Sequence, residues 1–240
     1  MKSLAMLLAV LSATTAASVA RADDVPAPEE TPAAPAADAH KAMWRFELGY
    51  RGAFVTSPGY GPFSTDDYFS QVSVAASRTV LVRGRFSFAP GLAWDYGTTS
   101  ATARGDITSL TMHRLGVPLE GRMHVARLGY AFVRVAPGVV LTAAEVQDPS
   151  APAALSKNRW LMAADASAGY AWLAWSRPEG PGPMARLWLQ GEAGYGWVAT
   201  ERLDLAPDLA SGSSQRASGA DLGALAMRGV FFRAAAAVSF

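Results

Sequence analysis

The sequence predicts an all-β protein, namely an eight-stranded antiparallel up-and-down transmembrane β-barrel preceded by a disordered N-terminal tether. Three observations support this fold class. After residue 40, apolar residues alternate with polar or small ones, the alternating segments are long, and the connections between them are short and long in turn. Because successive side chains of a strand point to opposite faces, a period of two gives each segment one apolar and one mixed face.

The first residues have the pattern of a secretory signal peptide. Lys2 precedes an apolar stretch from Leu4 to Val10, and Ala20-Arg21-Ala22 forms a small-x-small cleavage site. The apolar stretch is shorter than the ~20 residues that a membrane-spanning helix needs. We therefore expect export of the protein and removal of residues 1–22 as a signal peptide.

Charge and cysteine content exclude several classes of protein. Removal of Lys2 and Arg21 leaves 19 basic against 20 acidic residues, which argues against a nucleic-acid partner. The chain has no cysteine, so lipid attachment, disulfides and thiolate metal sites are excluded. No phosphate loop, zinc pattern or dinucleotide fingerprint is found in the sequence, and we expect no metal and no cofactor.

Residues 23–40 differ in composition from the rest of the chain. Pro26, Pro28, Pro32 and Pro35 stand among alanines and acidic residues, with little apolar surface to bury. Frequent proline and low hydrophobicity predict a disordered, partly extended periplasmic tether. Residues 41–240 then form the barrel domain.

Eight segments of that domain have strand periodicity, and all are longer than the ~5–6 residues usual in soluble sheets. Strands of ~9–11 residues are the length that crosses a bilayer at a tilt. The segments are approximately 42–54, 68–82, 84–96, 107–121, 127–144, 158–174, 184–200 and 228–240.

The connections alternate in length, as they do in outer-membrane barrels. Long polar connections are predicted at Ser57–Asp67, Gly97–Asp106, Gln147–Asn158 and Glu201–Gly219, and tight ones at Arg83-Gly84, Met123–Ala126 and Arg177–Pro183. This order places both mature termini in the periplasm. Gly219–Met227 is open to three interpretations (a loop, an extension of the last strand or an uncounted strand), so the count is eight or ten.

The apolar face carries aromatic residues towards the strand ends, as the interfacial girdles of a membrane barrel require. A soluble lipocalin-like barrel, whose apolar face would line a cavity, is the alternative. The chain also ends on an apolar strand, Gly229–Phe240, with an aromatic last residue. The predicted membrane-facing girdle consists of Trp44, Tyr50, Trp94, Tyr96, Tyr170, Trp172, Trp197 and Phe240.

These features resemble the small eight-stranded outer-membrane barrels of Gram-negative bacteria, the OmpA-like, OmpX-like and OmpW-like group. The resemblance rests on the closing strand Gly229–Phe240, the opening strand Trp44–Arg51 and Gly-aromatic steps such as Gly49-Tyr50 and Gly194-Tyr195. It implies residence in the outer membrane, contact with its lipid and lipopolysaccharide, and recognition of the C-terminal strand by the barrel-assembly machinery. A monomer is expected. The resemblance implies no substrate.

The mixed face places charged residues inside the predicted barrel, where a lumen of eight strands is nearly filled by side chains. One interpretation is an ion-pair network that plugs the lumen, for example Glu47, Glu120 and Glu192 among Arg114, Arg134 and Arg233. The other is a narrow anion- or water-permeable pathway. The predicted interior residues are Arg45, Glu47, Arg51, Arg85, Asp95, Arg114, Glu120, Arg122, Arg134, Asp165, Arg186, Glu192 and Arg233.

The sequence offers no clear catalytic constellation, and we predict that the protein is not an enzyme. His113, four residues after Ser109, is a weak candidate for the serine and histidine chemistry of lipid-modifying barrels. His40 falls in the tether and His124 at a predicted turn. Asp66-Asp67 is a candidate contact for cation-bridged lipopolysaccharide.

The sequence therefore predicts an outer-membrane barrel with a structural or surface-interaction role and a lumen plugged by charged side chains. A small pore or solute conduit is the first alternative. A lipid-modifying outer-membrane enzyme is the second.

Overall fold

The computed structural model describes residues 43–103, 105–126, 128–149, 154–176, 185–207 and 219–240. The predicted signal peptide, the predicted tether and the predicted turn Arg177–Pro183 lie outside these residues. Within the described part of the chain, no helix is both long and apolar enough to cross a membrane.

The described residues form twelve strands and one short 3-10 helix, Pro58–Phe63. The strands are β1 Trp44–Phe54, β2 Tyr68–Arg78, β3 Leu81–Arg83, β4 Phe86–Ala103, β5 Asp106–Gly116, β6 Leu119–Ala126, β7 Gly129–Gln147, β8 Leu155–Ser176, β9 Arg186–Val198, β10 Glu201–Pro207, β11 Ala220–Leu225 and β12 Gly229–Ser239.

Antiparallel pairing closes the sheet into a ring of eight strand positions, as the alternating pattern predicts. The order around the ring is β1, β2, β4, β5, β7, β8, β9 and β12, and β12 pairs with β1. Two of the eight positions are each occupied by two successive strands. β3 pairs with β4 beyond the end of β2, and β5 and β6 both lie between β4 and β7. Pro118, which has no N–H for the ladder, lies between β5 and β6.

The last strand closes the ring, as the C-terminal pattern predicts. Arg45 to Ala53 of β1 lie opposite Ser239 to Phe231 of β12. Beyond this register, the backbones of Trp44 and Phe240 exchange two hydrogen bonds of 3.0 Å. The Phe240 ring stacks on Phe46 with 5.8 Å between the ring centroids. The C-terminal residue is therefore part of the seam of the ring.

The two ends of the ring differ. The turn end holds both ends of the described chain, residues 43 and 240, and the tight turn at Gly84, whose φ of +58° lies in the left-handed region that favours glycine. The loop end holds the 3-10 helix and the hairpin of β10 and β11, which continues the sheet beyond β8.

Several predicted boundaries are wrong, because strands continue beyond the apolar segments. β4 extends to Ala103 through most of the predicted loop Gly97–Asp106. The predicted connection Gln147–Asn158 is too long, because β7 extends to Gln147 and β8 begins at Leu155. Met123–Ala126 belongs to β6 rather than to a turn. Gly219–Met227 contains β11, the uncounted strand among its three interpretations, but β11 lies outside the ring.

Alternation separates the two faces of the ring. Outward positions expose large apolar side chains, including Leu48 at 62% and Leu92 at 68%. Inward positions bury charged residues at the middle of the ring and apolar residues towards both ends. Apolar groups outside and ionic groups inside reverse the arrangement of a soluble barrel, so the fold is that of a transmembrane β-barrel.

Candidate functional site

The interior of the ring is the candidate functional site, because it brings together eleven buried charged side chains from seven of its eight strand positions. Among the described residues they comprise six arginines and five carboxylates, and each is no more than 8% exposed. β2 contributes the neutral Gln71 instead. The charged residues are Arg45, Glu47, Arg51, Asp95, Arg114, Glu120, Arg122, Arg134, Asp165, Glu192 and Arg233.

Arg134 on β7 is the hub of the half nearer the turn end. Its Nε donates a 2.8 Å hydrogen bond to Oε2 of Glu120, its register partner on β6. Its Nη2 lies 3.2 Å from Oε2 of Glu47, and its Nη1 lies 3.3 Å from Oε2 of Glu192. One guanidinium therefore ties together carboxylates from β6, β1 and β9.

Two further arginines complete the charge balance around this hub. Nε of Arg122 donates to Oε1 of Glu120 at 2.5 Å, and Nε of Arg45 lies 3.1 Å from Oε1 of Glu47. Gln190 accepts from Arg45 and donates to Glu47 at 2.7 Å. Each carboxylate in this half thus faces guanidinium or amide donors, as buried charges require.

Glu192 carries the network into the half nearer the loop end. Its Oε1 accepts a 2.8 Å hydrogen bond from Nη1 of Arg233, its register partner on β12. Nη2 of Arg233 lies 3.2 Å from Oδ2 of Asp95, which lies 3.7 Å from Nη1 of Arg51. The ion pairs therefore continue without a break from β6 to β4.

The network ends on Asp165 of β8. Its Oδ1 lies 3.1 Å from Nη2 of Arg51 and 2.7 Å from Nη2 of Arg114. Arg51 also donates a 2.8 Å hydrogen bond to Oε1 of Gln71. The eleven charges form one connected set that crosses the barrel.

An aromatic cluster lies below the network at the turn end. Tyr130, Phe132 and Trp188 are buried there with Ala171 and Ala237. The guanidinium carbons of Arg45 and Arg122 lie 5.5 and 5.3 Å from the centroid of the Tyr130 ring. Cations stacked on this ring join the network to the cluster.

An apolar cap fills the loop end. The 3-10 helix places Tyr60 and Phe63 inside, both fully buried, and Phe69 and Met112 pack in the same cluster. The other members are Val55, Leu110, Val140, Ala144, Val146, Ala163, Val198, Leu203, Leu205, Leu225 and Met227.

Hydrogen bonds hold the 3-10 helix in the cap. The hydroxyl of Thr108 donates to the carbonyl of Pro62 at 2.5 Å, and that of Thr99 donates to the carbonyl of Phe63 at 3.2 Å. The Tyr60 hydroxyl donates to the Tyr68 carbonyl at 2.9 Å. Burial raises the pKa of Tyr60 above that of an ordinary tyrosine.

The sequence-predicted interior set is placed inside with two exceptions. Arg85 is exposed, because it follows the turn at Gly84 and the strand reaches the rim there. Arg186 is half-buried at the first position of β9. Arg114 pairs with Asp165 rather than with a glutamate. The example network predicted from the sequence, in which three glutamates pair with Arg114, Arg134 and Arg233, is therefore only partly correct.

The predicted girdle residues lie on the outward face. Trp44, Tyr50, Trp94 and Tyr170 are each more than a third exposed, and so are Trp172, Trp197 and Phe240. Tyr96 is half-buried between its neighbours. It stacks with Trp94, and its ring centroid lies 4.9 Å from that of His113.

The candidate catalytic residues do not converge. His113 is on the outward face, where its ring stacks on Trp94 and is tilted against Tyr96. Ser109 lies four residues earlier on the same strand, and both residues are half-buried. Nε2 of His124 lies 3.1 Å from the hydroxyl of Ser87 near the turn end. Within the described ranges, no three His, Asp or Glu side chains group as metal ligands.

Charged residues also gather on the exposed extension at the loop end. Nη2 of Arg202 on β10 donates a 2.6 Å hydrogen bond to Oδ2 of Asp221 on β11. This bond, together with one from the backbone N–H of Gly223, lowers the pKa of Asp221. Lys157 lies 2.8 Å from Glu201. Asp66-Asp67, at the same end, is exposed.

The comparisons with known proteins return only structural likeness. No protein-family model and no curated protein sequence matches the chain. Ail, the attachment invasion locus protein of Yersinia pestis, solved with the heparin analogue sucrose octasulfate, is 11% identical. The alignment covers 83% of this chain and 99% of that one, with a TM-score of 0.47.

Two further solved structures align over a similar share of the chain. The outer membrane protease OmpT from Escherichia coli is 7% identical, covering 84% of this chain and 97% of that one, with a TM-score of 0.44. Neisserial surface protein A is 8% identical, covering 82% and 94%, with a TM-score of 0.40. At these values the fold assignment rests on the ring of strands itself.

Proposed function

We propose that this protein is a closed outer-membrane β-barrel with a structural or surface-interaction role, acting through its loop end. The observation that carries the proposal is the filled interior. The ion-pair network spans the barrel between an apolar cap and an aromatic cluster, with every charged member buried. A barrel filled in this way is a rigid scaffold rather than a conduit.

The outward face supports placement in lipid. Leu48, Leu92 and Met162 are each more than 60% exposed on the outward face of the ring. Exposing such an area to water would be costly, at roughly 25 cal/mol per Å² of apolar surface. Aromatic rings towards the strand ends suit the two interfaces of a bilayer. We propose the lipid and lipopolysaccharide of the outer membrane as the surrounding partners.

The C-terminal strand supports a role in assembly. Phe240 lies at the seam beside Trp44 and exposes half of its surface. A free β12 before closure would present an apolar face and an unpaired edge, which is the kind of surface that strand-pairing machinery recognises. We propose the barrel-assembly machinery as this partner, with the mature barrel a monomer whose termini face the periplasm.

The pore alternative has no specific support from the geometry. A pathway for ions or solutes would have to pass Arg134, which contacts three carboxylates at the centre of the interior. It would then have to pass Tyr60 and Phe63, which have no exposed surface. The enzymatic alternative has no converging catalytic set among the described residues and stays a lesser candidate.

Site-directed labelling of intact cells tests the orientation. The natural chain has no cysteine, so a single introduced thiol is the only reactive one. Arg202 is exposed at the loop end, and Arg83 is exposed at the turn end. We expect a membrane-impermeant maleimide to label Arg202→Cys on intact cells and Arg83→Cys only after the outer membrane is permeabilised.

Two outcomes would contradict the proposal. Labelling of Arg83→Cys but not of Arg202→Cys on intact cells would show that the turn end, not the loop end, faces the outside. Recovery of both variants as soluble periplasmic protein would contradict the proposed location in the outer membrane. Migration that changes on heating, in samples from the outer-membrane fraction, is the accompanying control for folded barrel.

A further inference from the structure

The interior contains a small cavity between the charged network and the apolar cap. Its volume of about 20 Å³ is enough for one water-sized species. Arg51, Gln71 and Arg114 line the side that faces the network. Apolar side chains of the cap, among them Phe69 and Met112, line the other side.

The polar lining of the cavity consists of cations and a neutral amide. Arg51, Arg114 and the exposed Arg228 line it together with Gln71, and no carboxylate is among the described residues that do so. The carboxylate that Arg51 and Arg114 share, Asp165, is outside the lining. The cavity is therefore electropositive.

Unpaired donors belong to two of these side chains. Within the described part of the chain, Nε of Arg51 and Nε2 of Gln71 are buried and have no hydrogen-bond partner, whereas Nη2 of Arg114 lies 2.7 Å from Oδ1 of Asp165. Oε1 of Gln71 accepts from Arg51, which leaves its amide N–H groups as donors. Buried donors without an acceptor cost free energy, so this site requires one.

The charge of the interior points to the same conclusion. The buried set of six arginines and five carboxylates has one positive charge in excess. Near the cavity, the carboxylates that face Arg51, Arg114 and Arg233 among the described residues are Asp95 and Asp165, apart from the Glu192 that Arg233 shares with the hub. An uncompensated buried cation is costly, and one monovalent anion would neutralise it.

We propose that this cavity is a binding site for a small monovalent anion of the halide class, with chloride the fitting species. Gln71 and Arg51 donate to the anion through their unpaired N–H groups, and Arg114 lines the site beside them. The anion completes the charge balance of the interior. This makes chloride a structural component of the folded barrel rather than a transported ion.

Bromide locates the site directly, because its anomalous scattering distinguishes it from water. Crystals of the folded protein grown in sodium bromide are expected to show an anomalous peak in the cavity, in contact with Arg51 and Gln71. A cavity that holds only non-anomalous density is a water site and overturns the proposal. Bromide peaks confined to the protein surface do the same.

Unfolding kinetics in detergent give the second readout. A site present only in the folded state slows unfolding by up to about tenfold for each tenfold rise in chloride above its dissociation constant. Gluconate at equal ionic strength is too large for the cavity and is the control salt. Equal unfolding rates in the two salts would contradict the proposal.

Variants at Gln71 separate the anion from a general salt effect. Gln71→Glu places a carboxylate at the cavity, so both the bromide peak and the chloride dependence should disappear. Ser77→Ala changes an inward position of β2 nearer the turn end, which does not line the cavity, and should keep both. If Gln71→Glu fails to fold, the bromide peak and the salt dependence of the natural protein still decide the question.

Discussion

Arg134 and Glu120 are direct register partners on β7 and β6, and Nε of Arg134 donates to Oε2 of Glu120 at 2.8 Å inside the barrel. The same guanidinium also reaches Glu47 and Glu192 on two other strands. The ion pair between these two neighbouring strands is thus the centre of the interior network.

Neutralising Glu120 should therefore destabilise the barrel strongly. Glu120→Gln keeps the shape of the side chain but leaves Arg122 and Arg134 without a shared counter-charge. Removing one partner of a buried ion pair costs about 3–5 kcal/mol of unfolding free energy. Urea unfolding in detergent, followed by the mobility of unheated samples on gels, measures the change. Asp221→Asn, which alters an exposed pair, is the control and should leave the midpoint unchanged.

Much of the interior network follows from the sequence, because a period of two assigns every residue of a strand to a face. Arg85 is the instructive error. The period of two correctly assigns Arg85 to the inward face, since it alternates with the outward Phe86. The period does not show how far along the barrel axis a residue lies. At the rim of the barrel, a side chain on the inward face is exposed to solvent. The partner of each arginine is likewise set by the stagger between strands, which the sequence does not show.

The sequence does not predict the apolar cap, because several of its residues, such as Tyr60, Phe63 and Leu203, fall in stretches with the composition of loops. A signal was present: Leu203 and Leu205 alternate with Arg202 and Asp204, and the inward face of β5 changes from Arg114 to Met112. The extension of β4 was harder to predict. Its residues 98–102 are mostly threonine, which favours strands, but they define no apolar face.

The cap should loosen at alkaline pH. The pKa of Tyr60 is raised by burial, so its neutral form is favoured in the closed cap. Stability from this residue is complete below the ordinary tyrosine pKa of about 10 and is lost as pH rises towards the higher value in the folded protein. Tyr60→Phe removes this pH dependence together with the hydrogen bond to the Tyr68 carbonyl.

Urea midpoints at about pH 8 and about pH 11 test the assignment. Tyr60→Phe should be less stable than the natural protein at the lower pH, by about 0.5–1.5 kcal/mol for one lost hydrogen bond. The difference should shrink at the higher pH. An equal difference at both values would show that Tyr60 does not titrate with the cap.

Deleting Phe240 should impair insertion of the barrel. The truncation removes two backbone hydrogen bonds to Trp44 and the ring stacked on Phe46. We expect lower levels in the outer-membrane fraction, with little change in the behaviour of barrels that do assemble. Phe86→Ala, an exposed outward aromatic away from the seam, is the matched control. Normal membrane levels of the truncated protein would contradict the assigned role.

A charge on the outer face should be costly in proportion to its depth. Leu48 lies near the middle of β1, and Leu81 lies near the turn end, and the two are 62% and 60% exposed. We expect Leu48→Arg to cost about 2–4 kcal/mol of folding free energy in lipid vesicles, and Leu81→Arg about 0–1 kcal/mol. Equal costs at the two positions would argue against a bilayer around β1.

The claim that the lumen is closed is tested most directly by planar-bilayer conductance of the purified, folded protein. With Arg134 bound to three carboxylates and Tyr60 and Phe63 sealing the loop end, we predict no reproducible conductance steps from the natural protein. A small, reproducible channel whose conductance changes on charge reversal at Arg134 or Glu192 would contradict this prediction and favour the pore.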